Sequence, residues 1–390
     1  MIRYQLPRQW IRYDPATLFE ELVDAKTAVL TLRQLPYQRE WVEALQQVQL
    51  KLEVAGTSRI EGAEFTEGEL EAAMREGPQQ MLSRSQRQVQ AAVRAYQWIS
   101  TLPDDRPLTV ELISELHRLI VTGADDDHCP PGRLRQPDHN VIFGNPPHRG
   151  AEGGAECAQA VAALSEATRR EFRDHDPLIQ ALALHYHVAA IHPFEDGNGR
   201  TARALEALLL QRAGLRSSCF IPMSNYYYDE KPTYLTTLAR VRAQDHDLTA
   251  FLKFGLRGIA VQSQRLLREI QDRVAKALYR DMMLDLFSRL KSPRKRVIAQ
   301  RQIEILKLLL EGPMEVNRLK DATLGLYSGV RHAERAAYRD LTILFALGAI
   351  EFDGNYRVRV RLEWPTEITE TEFFARVKAF PKARTHGFLR

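Results

Sequence analysis

Two apolar helical patterns meet at a polar turn, and that junction constrains this 390-residue chain more than any other feature. Upstream, Leu182, Ala183, Tyr186, Ala190 and Ile191 recur at helical spacing. Pro193 disfavours helical backbone at the residue before it, so the chain leaves the helix at His192. Downstream, Ala202, Leu205, Leu208, Leu209 and Leu210 start a second helix. The link reads His192-Pro193-Phe194-Glu195-Asp196-Gly197-Asn198-Gly199-Arg200, with a further cation at Arg203. The glycines permit positive φ and close approach of backbone.

That turn carries chemistry. A helix N-terminus offers free N–H groups and the positive end of a dipole, a ready anion site. Arg200 and Arg203 lie three apart and share a face of the first turns, and an arginine pair beside a backbone cradle suits several phosphates. Asp196 is the kind of carboxylate that holds Mg²⁺ beside bound phosphates. His192, a side chain whose unperturbed pKa lies near neutrality, can accept a proton from an attacking hydroxyl. Gly197 to Ala202 also fits a dinucleotide fingerprint, but that pattern requires a preceding strand and a later acidic residue. A helix and a proline stand there instead. Walker A and kinase signatures are absent.

His192 through Arg203 resembles the signature of the Fic family, H-x-F-x-D/E-G-N-G-R-x-x-R, at every fixed position. The resemblance implies transfer of AMP from ATP to a Ser, Thr or Tyr hydroxyl of a target protein, with release of pyrophosphate. It implies His192 as base, Asp196 as the Mg²⁺ carboxylate, and Gly197, Asn198 and Gly199 as the phosphate cradle. Asn198 would bond the α-phosphate region, Arg200 and Arg203 would clamp the outer phosphates, and Phe194 would anchor in the core. The phosphorylating Doc branch builds this turn differently, and the Gly-Asn-Gly form favours adenylylation.

Far upstream, Thr57-Ser58-Arg59-Ile60-Glu61-Gly62 sets Thr57 and Glu61 on one helix face, with Gly62 a C-terminal cap. By itself this is a helix end. Beside the downstream motif it resembles the family's inhibitory helix, S/T-x-x-x-E-G/N, placed before the core. The implied logic is competition, with Glu61 pairing with Arg203 and so withholding it from the γ-phosphate. Some relatives instead use this glutamate to position water and remove AMP, which leaves a de-AMPylating hydrolase as an alternative.

Glu111–Ile120 is an amphipathic helix whose Leu116-His117 resembles the opening of the family core, with His117 packed rather than ligating. Pro130-Pro131-Gly132-Arg133-Leu134-Arg135 precedes a short apolar run, Val141-Ile142-Phe143-Gly144, that reads as a hairpin strand. It resembles the family's flap, whose edge pairs with the target segment. Asn225-Tyr226-Tyr227-Tyr228 and Tyr234 to Leu238 resemble the adenine side, with Tyr234-Leu235 where members often have two tyrosines. Asp125-Asp126-Asp127-His128-Cys129 lacks zinc or EF-hand spacing and reads as a solvated loop. His185 and His187, two apart on a helix, point away from each other.

Composition is that of an ordinary globular chain, and a net charge of +4 is too mild to imply nucleic-acid binding. Cys129, Cys157 and Cys219 form no C-x-x-C pair, which fits a reducing cytoplasm. Neither a signal peptide's apolar core nor a membrane-spanning run is present. Leu267, Ile270, Val274 and Leu278 mark a helical linker ending at Lys291-Ser292-Pro293-Arg294-Lys295-Arg296. Helices follow at Gln300–Leu310, Val316–Lys320 and Val330–Leu347, then strands turning at Asp353-Gly354-Asn355. This resembles a winged helix-turn-helix. Arg331, Arg335 and Arg339 form one stripe of its third helix, and the wing adds Arg357, Arg359 and Arg361. Glu334 and Asp340 dilute that basic face, and a protein-docking role competes with DNA contact.

The expected architecture is mainly α. An N-terminal helical region (1–104) carries the inhibitory helix, and a Fic-like core (105–260) carries a small β-hairpin flap. A helical linker (261–295), a winged helix (296–362) and a tail (363–390) complete the chain. The expected substrates are ATP, with Mg²⁺, and a target protein. DNA remains an optional partner of the last module, a homodimer is one route to relief of inhibition, and a DNA-binding regulator with a nucleotide-sensing domain is the non-enzymatic alternative.

Overall fold

The computed structural model describes residues 2–34, 39–75, 83–215, 221–290 and 293–379. Cys219, Lys291, Ser292 and the last part of the expected tail lie outside them. The chain divides into two units, Met1–Leu267 and Arg268–Arg390.

In the first unit, β1 (Ile2–Arg3) precedes α1 (Pro15–Gln34), α2 (Arg39–Ile60), α3 (Glu67–Arg75), α4 (Arg84–Thr101) and α5 (Val110–Val121). The hairpin β2 (Ile142–Phe143) and β3 (His148–Arg149) leads to α6 (Ala155–Arg169), α7 (Pro177–Ile191) and α8 (Asn198–Leu210). Then come α9 (Met223–Asp229), α10 (Lys231–Ala243) and α11 (Thr249–Ser288), within which the unit boundary falls. The start signals are local. Ser83 and Gln86 form a reciprocal capping box on α4, Thr109 caps α5, and Asp176 caps α7 with Pro177 in its first turn.

α7 is apolar nearly all round, so it runs through the core: Leu182, Ala183, Leu184 and Tyr186 are fully buried. Against it pack α8 and α6, and α4 and α5 pack on α8, so that Tyr96, Leu116, Val161 and Leu205 share one core with it. The polar turn at the α7–α8 junction is thereby held on the best-packed pair of helices in the unit. The small sheet has the order β1-β3-β2, so the N-terminal strand covers one edge of the hairpin and, among the described residues, no strand pairs with the outer edge of β2.

The second unit contains the end of α11, then α12 (Pro293–Glu311), α13 (Val316–Thr323), α14 (Ala333–Leu347), β4 (Ile350–Phe352) and β5 (Val358–Val360). Met314 pairs with Val358 beside this antiparallel hairpin. Tyr279, Met283, Phe287, Leu306, Leu344 and Trp364 belong to its core. Leu278, expected on the apolar stripe of the linker, is exposed, and its neighbour Tyr279 takes the buried position. The expected tail begins with two helices, α15 (Trp364–Glu367) and α16 (Glu370–Ala379), because Trp364, Ile368 and Phe373 find apolar cover in this core.

The basic stripe is broken at its first member. α14 starts at Ala333, so Arg331 precedes the helix and only Arg335 and Arg339 stand on it. Asp340 does not dilute an exposed face: it is buried, accepting from Arg301 at 2.9 Å and from the Tyr327 hydroxyl at 3.1 Å. The cations expected on a wing face carboxylates, Arg357 with Asp353 at 2.9 Å, Arg359 with Glu351 at 2.6 Å, and Arg361 with Glu367.

Candidate active site

His192 ends α7 in the left-handed conformation, φ 53°, which turns its ring out of the helix direction. Its Nδ1 stands 3.2 Å from the Ala189 carbonyl. A carbonyl can only accept, so Nδ1 carries the proton and Nε2 keeps its lone pair. The Phe143 ring of β2 stacks on the imidazole at 3.9 Å and 10°, and Arg242 lies over the other part of that aromatic face at 5.2 Å. Burial pushes the His192 pKa down to about 4, so the ring is neutral at pH 7.

Arg135 braces this corner. It is fully buried and donates to the carbonyls of His192 at 2.7 Å, His139 at 2.9 Å and Ala151. Across the loop, Phe194 is fully buried and stacks on His117 at 3.6 Å. His117 Nδ1 accepts from the Gly132 N–H, which leaves Nε2–H to donate to the Asp196 carbonyl at 3.0 Å. His117 is therefore a packed, neutral loop-holder, held near pKa 3 by burial.

The turn opens α8 with Gly197 at φ 73°. The first helical bond runs from Thr201 N–H to the Gly197 carbonyl, so the N–H groups of Asn198, Gly199 and Arg200 have no intrahelical acceptor, as at any helix start. The Asn198 side chain differs from its expected role. It donates to the Phe194 carbonyl and accepts from the Phe194 N–H, both at 2.9 Å, and is buried: it shapes the loop rather than turning toward a phosphate. The Asp196 carboxylate is partly exposed, with Oδ1 accepting the Gly197 N–H at 2.5 Å.

Arg203 and Glu61 meet at 2.6 Å. Arg203 is 2% exposed and donates through Nε to the Thr57 hydroxyl at 2.9 Å and through Nη2 to the Thr57 carbonyl at 3.3 Å. Burial works against the Glu61 charge, but Arg203, then Arg200 and His192, outweigh it and hold the carboxyl below its usual range. Glu61 sits directly over Gly199, where any Cβ would strike its Oε1 and lie 3.1 Å from Arg203 Nη1.

The local fold of α2 sets this up. Ala63 N–H bonds the Ser58 carbonyl and Gly62 N–H bonds the Arg59 carbonyl, both at 3.1 Å, a Schellman ending with Gly62 at φ 88°. Lys231 caps the Ile60 carbonyl at 2.7 Å. One turn back, Gly56 lets α2 touch the backbone of Ser224 and Asn225, and buried Glu53 accepts the Ser224 N–H at 2.7 Å and the Tyr96 hydroxyl at 2.7 Å.

Tyr234, placed on the adenine side by the sequence, is 2% exposed. Its hydroxyl lies 2.8 Å from His185 Nε2 and 3.5 Å from Arg203 Nη1, so it backs Arg203 and does not line an open pocket. His185 continues to Glu206, which also accepts from Tyr227 at 2.9 Å. Burial raises Glu206 to about 8 and keeps His185 neutral.

The acidic run also departs from expectation. Its middle, Asp126 to His128, is solvated, but Asp125 and Cys129 at its ends are buried. Asp125 receives Arg200 at 2.5 Å, Arg84 at 2.7 Å and Gln88 at 3.0 Å. Sequence reasoning missed Asp125 because its partner stands 75 positions away, and missed Arg135 because nothing in its segment points to the His192 carbonyl. The short apolar run forms a strand over Ile142–Phe143, with Ile142 60% exposed and Val141 and Gly144 flanking it. Among the described residues, no group of three or more His, Cys, Asp or Glu is arranged to hold a metal, and no helix is long and apolar enough to cross a membrane.

Residues 107–210 match the Fic/DOC family. The chain is 32% identical over 109 residues to the protein adenylyltransferase fic-1 of Caenorhabditis briggsae, covering 27% of this chain and 20% of that protein. It is 30% identical over 154 residues to the uridine 5'-monophosphate transferase of Xanthomonas campestris, covering 36% and 28%. The chain thus spans less than a third of these relatives' length. In fold it is similar to a Fic family protein from Desulfovibrio desulfuricans G20 (TM-score 0.58, 19% identity, 92% of this chain and 98% of that one). It is also similar to Fic-1 from C. elegans (TM-score 0.55, 19% identity, 66% and 73%). The helical core around the His192 turn therefore has a Fic fold, and residues 107–210 carry a Fic/DOC match that is similar in sequence to Fic adenylyltransferases.

Proposed function

We propose that this chain transfers AMP from ATP to a hydroxyl side chain of a target protein and that Glu61 holds the activity down. The observation that carries the reading is the pairing of a neutral His192, with Nε2 free to accept, and a helix start whose donors and arginines suit a polyphosphate. His192 Nε2 takes the hydroxyl proton as the oxygen bonds the α-phosphorus. The bond from the α-phosphorus to its β-bridging oxygen breaks, and pyrophosphate leaves. The first-turn N–H groups and Arg200 meet the phosphates. The partly exposed Asp196 oxygens fit a hard cation, and Mg²⁺ held there would offset charge on the leaving pyrophosphate.

Inhibition follows from the Glu61–Arg203 contact. Glu61 occupies both the guanidinium and the space over Gly199, so a γ-phosphate would have to displace a carboxylate already bonded to a buried cation. A difference of about 1.4 kcal/mol between productive and unproductive poses is already tenfold in rate. Uridylyl transfer is the second reading, favoured by the uridine 5'-monophosphate transferase among the relatives.

The second unit's helices, its hairpin and the Met314 pairing support a winged-helix module. Its wing cations are already matched by carboxylates, which favours protein docking over DNA.

The test uses ATP labelled at the α- or the γ-phosphate, and UTP labelled at the α-phosphate, with Mg²⁺ and host lysate. Glu61→Gly should label protein from α-labelled ATP but not from γ-labelled ATP, and Glu61→Gly/His192→Ala should label nothing. Label from γ means kinase chemistry. Label from UTP alone means uridylylation, and no label from any donor sinks both transfer readings.

A further inference from the structure

Asp125 lies outside the His192 turn, yet it is the acid that Arg200 grips. Its carboxylate is fully buried, with Arg200 Nη1 at 2.5 Å on Oδ2. Arg84 Nε at 2.8 Å and Gln88 Nε2 at 3.0 Å, both from α4, meet Oδ1. Arg200 itself is 3% exposed. Its other terminal nitrogen, Nη2, stands 3.6 Å from Asp196 Oδ1, one helical turn behind. The two carboxylates compete for this guanidinium, as they do for Arg84, whose Nη2 stands 2.7 Å from Asp125 Oδ1 and 3.8 Å from Asp196 Oδ2, and in both cases the buried carboxylate holds the cation closer. A charge in a dry site is fixed strongly by a partner at this distance, whereas the partly exposed Asp196 is screened by water.

We infer that Asp125 is a positioning residue: it draws Arg200 off Asp196 and fixes the guanidinium beside the turn, which keeps the Asp196 carboxylate open and the cation aimed at the second phosphate of a bound nucleotide. This rests on the nucleotidyl-transfer reading, because the turn must hold a polyphosphate for the aim to matter. Without the Asp125 charge, Arg200 collapses onto Asp196 and both groups are lost together. A merely structural Asp125 would lower stability and weaken every nucleotide alike. A positioning Asp125 weakens diphosphates and leaves monophosphates untouched.

The experiment is calorimetric binding of ADP and AMP, and of UDP and UMP, to the full chain with Mg²⁺. The near-isosteric Asp125→Asn should bind ADP at least tenfold more weakly than the parent, with AMP within twofold. Arg200→Ala should show the same pattern, and adding Asp125→Asn to it should cost no more than a further twofold, since both act through one guanidinium. Asp125→Glu, which keeps the charge, should recover most of the ADP affinity, and it stands in should Asp125→Asn fail to melt cooperatively. Equal losses for ADP and AMP, an additive double variant, or a glutamate variant as weak as Arg200→Ala would each overturn the inference. A parent that binds neither ADP nor UDP overturns the transfer reading, and the inference with it.

Discussion

The Glu61 carboxylate stands 2.6 Å from the Arg203 guanidinium, and the same side chain fills the space above Gly199 at the start of α8. One residue just past the end of α2 therefore contacts two parts of the turn at once, across 142 positions of sequence. Thr57, one turn earlier, accepts from Arg203 Nε at 2.9 Å and so holds the same guanidinium.

Removing the block should release activity. Glu61→Gly is expected to raise protein labelling more than tenfold over wild type at equal ATP. Thr57→Val, which removes only the bond to Arg203 Nε, should raise it less, because the ion pair survives. Initial rates of label incorporation measure both, and a Glu61→Gly rate equal to wild type would falsify the inhibitory role.

The acid limb of activity should lie lower than an ordinary histidine's. Burial depresses His192 from 6.5 to about 4, so the neutral base persists as pH falls and is lost only near that value. Glu61→Gly also removes a carboxylate that favours the protonated ring. The rate profile of Glu61→Gly should thus stay flat between about pH 6 and about pH 8. An inflection near 6.5 would place the ring in water and contradict the geometry.

Stability should fall as pH rises. Glu206 is raised from 4.5 to about 8 and Glu53 to about 7, each mainly by burial. A carboxyl raised in the folded state contributes stability that is complete below the unfolded value and is lost as pH climbs toward the folded one. The melting temperature of the full chain should drop between pH 5 and pH 8, and Glu206→Gln should flatten that drop. A variant with the wild-type slope would show that Glu206 is ionised in the fold.

The β4–β5 hairpin should not act as a DNA clamp. Arg357 and Arg359 are bonded to Asp353 and Glu351, so phosphates would have to displace ion pairs already made. Duplex DNA should show no salt-sensitive affinity for the second unit's basic residues in the full chain. Binding that weakens steeply with salt and falls on Arg335→Ala/Arg339→Ala would reverse this conclusion.

Much of the site could be read from residues close together in the chain. The helix–turn–helix at His192, the glycine turn, the Gly62 cap and the exposed strand at Ile142 follow from local pattern, since proline, glycine and apolar spacing act over a few residues. The functional surroundings could not be read that way. The buried charge of Asp125 and the turning of the Asn198 amide into its own loop depend on which groups packing leaves without water. So do the withdrawal of Tyr234 behind Arg203 and the bracing of the His192 carbonyl by Arg135.

By itself the sequence determined where the helices flanking the His192 turn end, which residues there could bear chemistry and that a glutamate stands four residues after Thr57. Only the tertiary structure decided that this glutamate reaches Arg203 and that Arg200 answers to Asp125. The reason is physical. Helix ends are short-range steric and hydrogen-bonding events, whereas the partner of a desolvated charge is chosen by the fold that removes its water.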